Sequence, residues 1–216
     1  MISTILAASL LEESAFSSCW QKACRETARL HHLNDGQSQP LLLAKAIPAA
    51  FMAAVEEAFR QHEQDVGGIV GVTAKVRVGI ICWLQQLSPH RVGLKNWAAY
   101  LAFYPHHYMA AFWQMADSVW KLAGDQSQDS NYYSKRSLLA GVMASSFLVW
   151  LDDQSPNYEK TLAFTDRRLS EILRVGKNIG SLKNILAIAG DGLIAGLTRC
   201  RYPHKQSSSS YFQENK

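Results

Sequence analysis

Alternation of apolar and polar residues, the mark of a half-buried strand, is missing from this 216-residue chain. That excludes a sheet-based fold. Proline is scarce, with six in all, and each falls at an expected joint: Pro40, Pro48, Pro89, Pro105, Pro156 and Pro203. Pro48 is the awkward one, because apolar helical sequence runs through it to Phe59, so a boundary or kink is expected there. No apolar run is long enough to cross a bilayer. The stretch Ile69 to Leu84 is broken by Lys75 and Arg77, and Ile185 to Leu197 by Asp191. The start, Met-Ile-Ser-Thr-Ile-Leu, has no basic flank and is followed by Glu12-Glu13, which is unlike a secretory signal or an Arg-rich transit peptide. The four cysteines (Cys19, Cys24, Cys82, Cys200) form no CxxC pair, which suits idle thiols in a reducing compartment.

Catalytic patterns are missing as well. There is no HExxH, no Glu followed by His at the third position, no GxSxG, no P-loop and no strand ahead of Gly190, Gly192 and Gly196. His106 and His107 are adjacent on a helix, about 100° apart, so they are poorly placed to share one ion. Glu12-Glu13, Glu56-Glu57 and Asp152-Asp153 read as solvated helix ends. The expectation is a binding protein with no catalytic residue, metal or cofactor.

Hydrophobic residues make up 48% and charged residues 19%, a composition that folds. Residues 1–70 carry five Lys/Arg against eight Asp/Glu; residues 174–216 carry seven against two. The basic end suits an anionic membrane surface or RNA. Helices are expected near 2–13, 18–31, 41–64, 71–86, 91–103, 105–122, 129–152, 156–175 and 181–201. In 105–122, Met109, Phe112, Trp113, Ala116, Val119 and Trp120 share one face. In 156–175, Ser155 is a natural N-cap and Pro156 the first helical residue. The 129–152 segment gathers Ala140, Gly141, Ala144, Ser145 and Ser146, which suits either a tight core or dimer seam, or room for an apolar ligand. Met109, Phe112, Trp113, Ala116, Met143 and Ala144 are the candidate lining. From Ser181 to Tyr202, Leu182, Ile185, Leu186, Leu193 and Leu197 form an apolar stripe flanked by Lys183 and Arg199, a candidate membrane-contacting helix.

The run Trp120 to Arg136, WKLAGDQSQDSNYYSKR, resembles the W-x-x-A-G-D-x-S-x-D-x-N-x-Y-[ST]-[KR]-R signature of the coenzyme Q (ubiquinone) biosynthesis accessory proteins, the member numbered nine. Asp153 to Glu159, DQSPNYE, is similar to that family's D-x-S-P-[DN]-[FY]-x. The resemblance implies an all-α bundle like the TetR regulators, with an N-terminal helix-turn-helix, a dimerising helical domain and a C-terminal amphipathic helix on the membrane. It implies a non-catalytic protein that binds an isoprenoid lipid or quinone intermediate and supports a separate di-iron demethoxy-quinone hydroxylase. By the same resemblance Asp125, Ser127, Asp129, Asn131, Tyr132, Tyr133 and Arg136 are the partner-binding set. Where the family carries a large aromatic, usually Trp, before the signature tyrosine, this chain has Tyr132.

The helix-turn-helix is degenerate here. Residues 34–40, where a recognition helix should lie, read NDGQSQP without a Lys or Arg, so no nucleic acid is expected as a partner. The implied organisation is 1–66 for that module, 67–178 for lipid binding and dimerisation, 179–202 for the membrane helix and 203–216 for a disordered tail. The expected setting is the bacterial cytoplasm, peripheral on the inner membrane, or the matrix side in a mitochondrion. The competing reading is a ligand-sensing TetR-type regulator.

Overall fold

In the computed structural model of the protein, residues 3–17, 19–127 and 130–176 are described. They form α1 (Thr4–Phe16), α2 (Trp20–Leu30), α3 (Pro40–Ala50), α4 (Met52–Asp65), α5 (Val72–Leu87), α6 (Arg91–Leu101), α7 (Pro105–Leu122), α8 (Ser130–Asp152) and α9 (Glu159–Gly176). Short 3-10 turns at Ser88–His90 and Pro156–Tyr158 join α5 to α6 and α8 to α9. The fold is all-α, and no strand occurs among the described residues. Residues 1–174 form one compact unit. The expected 181–202 helix, with Leu182, Lys183, Ile185, Leu186, Leu193, Leu197 and Arg199, and the 203–216 tail lie outside the described residues.

Helix ends follow local chemistry. The Ser3 hydroxyl accepts from the Leu6 N–H at 3.2 Å and opens α1. Residues 31–39 are turns and coil, so no helix fills the recognition-helix position. The α8–α9 joint departs from expectation. Asn157 and Tyr158 take left-handed φ of 51° and 57°, so α9 begins at Glu159, three residues after the expected start. The Ser155 hydroxyl accepts from the Lys160 N–H at 3.1 Å. The deeper cap is Asp153, whose carboxylate accepts from the Ser155 and Thr161 N–H groups (2.8 and 2.9 Å) and from both hydroxyls (2.6 Å each).

Pro48 sits inside α3 without ending it; the break comes three residues later, at Phe51. A proline lacks the N–H that would bond the carbonyl four residues back, here that of Ala44. That carbonyl accepts the Trp97 indole N–H at 2.9 Å instead. The proline thus frees an acceptor, and a tryptophan of α6 uses it to lock the N-terminal helices to the later ones.

Around this lock the core is a group of rings. Trp83, Trp97, Phe112, Phe147 and Trp150 are all buried. Phe147 lies 5.8 Å from Trp83, 5.8 Å from Trp97, 5.5 Å from Phe112 and 5.7 Å from Trp150. The α1–α6 crossing needs a glycine, since a Cβ on Gly93 would sit 2.0 Å from the Leu11 carbonyl oxygen.

Candidate functional site

The quoted signature folds into the α7–α8 junction. Gly124 follows the last turn of α7 with φ of 83°, and the Asp125 N–H reaches back to the Trp120 carbonyl at 3.0 Å. This is a Schellman-type stop, which wants glycine at the left-handed position. Open space surrounds Gly124, so backbone conformation rather than crowding demands it.

The next residues hold one another. The Asp125 carboxylate accepts from the Ser127 hydroxyl (2.8 Å), the Lys135 ammonium (2.7 Å) and the Arg136 guanidinium (3.1 Å). Arg136 also donates to Asp117 at 2.6 Å, and its guanidinium carbon lies 3.4 Å from the Tyr132 ring centroid. Asp117 further accepts from the Tyr132 hydroxyl (3.1 Å) and pairs with Lys121 (2.7 Å). The Trp120 indole N–H donates to the Lys135 carbonyl at 3.1 Å. Arg136 is fully buried, and a buried guanidinium is tolerated where its fork meets carboxylates.

These contacts set the protonation states. Burial works to raise the Asp125 pKa, but hydrogen bonds from Lys135, Ser127 and Arg136 outweigh it and bring the carboxyl down to about 2. Asp117 is lowered in the same way: burial opposes, and Lys121, Arg136 and Tyr132 prevail. The network therefore stays ionised at neutral pH. Held together by these pairs, it serves as a clamp that fixes the start of α8.

Of the expected partner set, Asp125, Ser127, Tyr132 and Arg136 come together in this clamp. Tyr133 lies outside the clamp's hydrogen bonds, but its ring meets the Tyr132 ring edge-on at 5.1 Å. Tyr133 is 66% exposed and stacks on half-buried Trp113 with centroids 6.2 Å apart. Asp129 and the Asn131 side chain lie outside the described residues. Asp117, Lys135 and Trp120 belong to the network although the sequence did not mark them as site residues. The i,i+4 spacing of Asp117 and Lys121 was the available signal for the first.

The expected lining divides. Phe112, Ala116, Met143 and Ala144 are buried, and Phe112 packs against Tyr108 at 4.8 Å and Trp83 at 6.0 Å. Met109 and Trp113 are half-buried at the edge of α7. Among the described residues no group of three His, Cys, Asp or Glu is placed to hold a metal ion, and no helix is long and apolar enough to cross a membrane. The His106 and His107 rings do lie 3.8 Å apart, closer than adjacent helical positions suggest.

The COQ9 family model matches residues 106–176, which run from α7 through α9 and contain the whole clamp. Over this segment the chain is similar to the COQ9 family. It is similar to the ubiquinone biosynthesis protein COQ9-B, mitochondrial, of Xenopus laevis, 41% identical over 83 residues that make up 38% of this chain and 27% of the relative. With the COQ9 protein of Rattus norvegicus identity is 37% over 83 residues, 38% of this chain and 25% of the relative. With that of Homo sapiens it is 30% over 119 residues, 53% of this chain and 35% of the relative. The matched stretches thus span from a quarter to about a third of those relatives' own length.

Proposed function

We propose that this protein is a non-catalytic, lipid-binding accessory factor of ubiquinone biosynthesis with a TetR-like arrangement of helices, acting as a homodimer at the membrane. The observation that carries the reading is the intact clamp. Residues of the family segment close on one another around Arg136, and Trp113 and Tyr133 are left as a stacked aromatic pair on the outside. Half-exposed aromatics on a rigid base are common interface anchors. In this reading the pair docks the di-iron hydroxylase, and the clamp holds the pair in place.

The cargo is an isoprenoid lipid or quinone intermediate, taken up along α7 and α8. An isoprenoid tail offers no polar handle, so affinity comes from apolar area at roughly 25 cal/mol per Å². Met109 and Trp113 are half-buried on α7. Met143 of α8 is buried, with a flexible side chain able to yield to a ligand. The relatives' names supply the setting, a mitochondrion, where the quinone-making membrane would be the inner one. The coil at 31–39 and the lack of any Lys or Arg in 34–40 support a lipid rather than a nucleic acid as ligand.

The partner half of the proposal is tested by Tyr133→Ala. Recovery of the hydroxylase in a pull-down should fall at least tenfold, with thermal stability within about 0.5 kcal/mol of wild type, as for an exposed site. Equal recovery by both proteins would remove Tyr133 from the docking surface.

A further inference from the structure

The α8–α9 corner carries strain. Asn157 and Tyr158 both hold left-handed φ, 51° and 57°. Asparagine tolerates that region, but for a bulky ring it is an outlier. Trp150, fully buried near the end of α8, has an indole N–H that meets no acceptor among the described residues. The residue types offer a path with less strain. Ser155 already has the extended backbone of an N-cap (φ −72°, ψ 152°), and Pro156 after it suits the first helical position. Right-handed φ at Asn157 and Tyr158 would let α9 begin at Pro156 rather than Glu159.

Contacts with α6 and the turn before it hold the strained form. The Arg91 guanidinium carbon lies 5.4 Å from the Tyr158 ring centroid and 5.5 Å from that of Trp150. Arg91 Nε donates to the Leu151 carbonyl at 3.2 Å, and a terminal nitrogen donates to the Asp153 carbonyl. Carbonyls at a helix end lack helix partners, so Arg91 caps α8 while it holds Tyr158. The Ser88 and Tyr158 hydroxyls are 2.7 Å apart. Ser88, Arg91 and Tyr158 are half-buried, which strengthens a cation–ring contact.

We propose that this corner has two positions, and that Arg91 acts as a latch that keeps it in the left-handed one. In the second position Asn157 and Tyr158 turn right-handed. The Ser155 hydroxyl, which accepts from the Lys160 N–H in the latched form, takes the Tyr158 N–H as an N-cap does. α9 then gains its first turn from Pro156, the Tyr158 ring leaves Arg91, and water reaches the Trp150 indole. Strain held in place by its surroundings is how a fold keeps a switch poised. The latch ties the start of α9 to the α5–α6 turn, so a shift of Ser88 and Arg91 releases it. Arg91 lies on α6, outside residues 106–176, so control of the α9 start sits outside the family segment.

The test is made on the full chain by NMR, reading the HN–Hα scalar coupling of Tyr158, which differs between left- and right-handed φ. The wild type should give the left-handed value, and Arg91→Gln the right-handed helical one. Stability should follow. In the wild type Asn157→Gly should give a higher urea midpoint than Asn157→Ala, since glycine accepts left-handed φ. In the Arg91→Gln background the order should reverse, because alanine is the better helix former. A left-handed coupling in folded Arg91→Gln, or the same Gly-over-Ala order in both backgrounds, overturns the proposal. Should Arg91→Gln fail to fold, Asn157→Ala alone is read. Its Tyr158 coupling should move toward the helical value, and an unmoved coupling means that the corner has one position only.

Discussion

Arg136 is the residue on which the junction most depends. Truncating it to alanine takes from Asp117 and Asp125 the buried cation they share, with Lys121 and Lys135 left as their remaining ion partners. Breaking a buried pair by removing one partner costs about 3–5 kcal/mol, so Arg136→Ala should lower the urea midpoint by that equivalent. Arg136→Lys should recover only part of the loss, because an ammonium cannot bridge two carboxylates with a fork. Gly124→Ala is a smaller change with a different cause. The left-handed conformation penalises any Cβ by about 1–2 kcal/mol, and the open surroundings add nothing. Asp125 makes the junction acid-sensitive. Its folded pKa of about 2 lies below its ordinary value. The contribution is therefore complete above about pH 4 and is lost as pH falls through 2. The loss of stability between pH 7 and pH 2.5 should be smaller in Asp125→Asn than in wild type.

At the scale of elements, the Pro48–Trp97 pairing explains why α3 survives a proline. If the Trp97 indole replaces the missing helix bond to Ala44, Trp97→Phe strands a buried carbonyl at about 1–3 kcal/mol. In a Pro48→Ala background the restored N–H competes for the same oxygen, so the cost of Trp97→Phe should shrink. A double-mutant cycle measures the difference, and strict additivity would disprove the link. Sequence pattern located the helical segments, with α3 and α4 as one stretch expected to bend at Pro48, because proline, glycine and the 3.6 period act locally. It could not show that Pro48 would be carried through to Phe51, since the compensating donor is 49 positions away on α6. It started α9 at Pro156, because nothing in the residue types announces left-handed φ at both Asn157 and Tyr158. The signature gave Asp125 and Arg136 as site residues, but not that they bind each other. Their side-chain directions depend on the Gly124 turn and on Asp117, which lies outside the motif.

Within residues 1–174 a rigid junction at the α7–α8 turn adjoins the packed face between those two helices. In the proposed function the first serves a protein partner and the second a lipid. The lipid is the central claim, because without it the protein has no cargo to present. Organic extraction of the purified full chain followed by mass spectrometry tests it most directly. The account predicts an isoprenoid quinone or its precursor in near-stoichiometric amount. It also predicts a marked loss of that lipid from Met143→Trp, which adds bulk at the buried face of α8, in protein that remains folded by circular dichroism. A chain that emerges from a quinone-producing host free of isoprenoid lipid, and that takes up none when it is supplied, would contradict it.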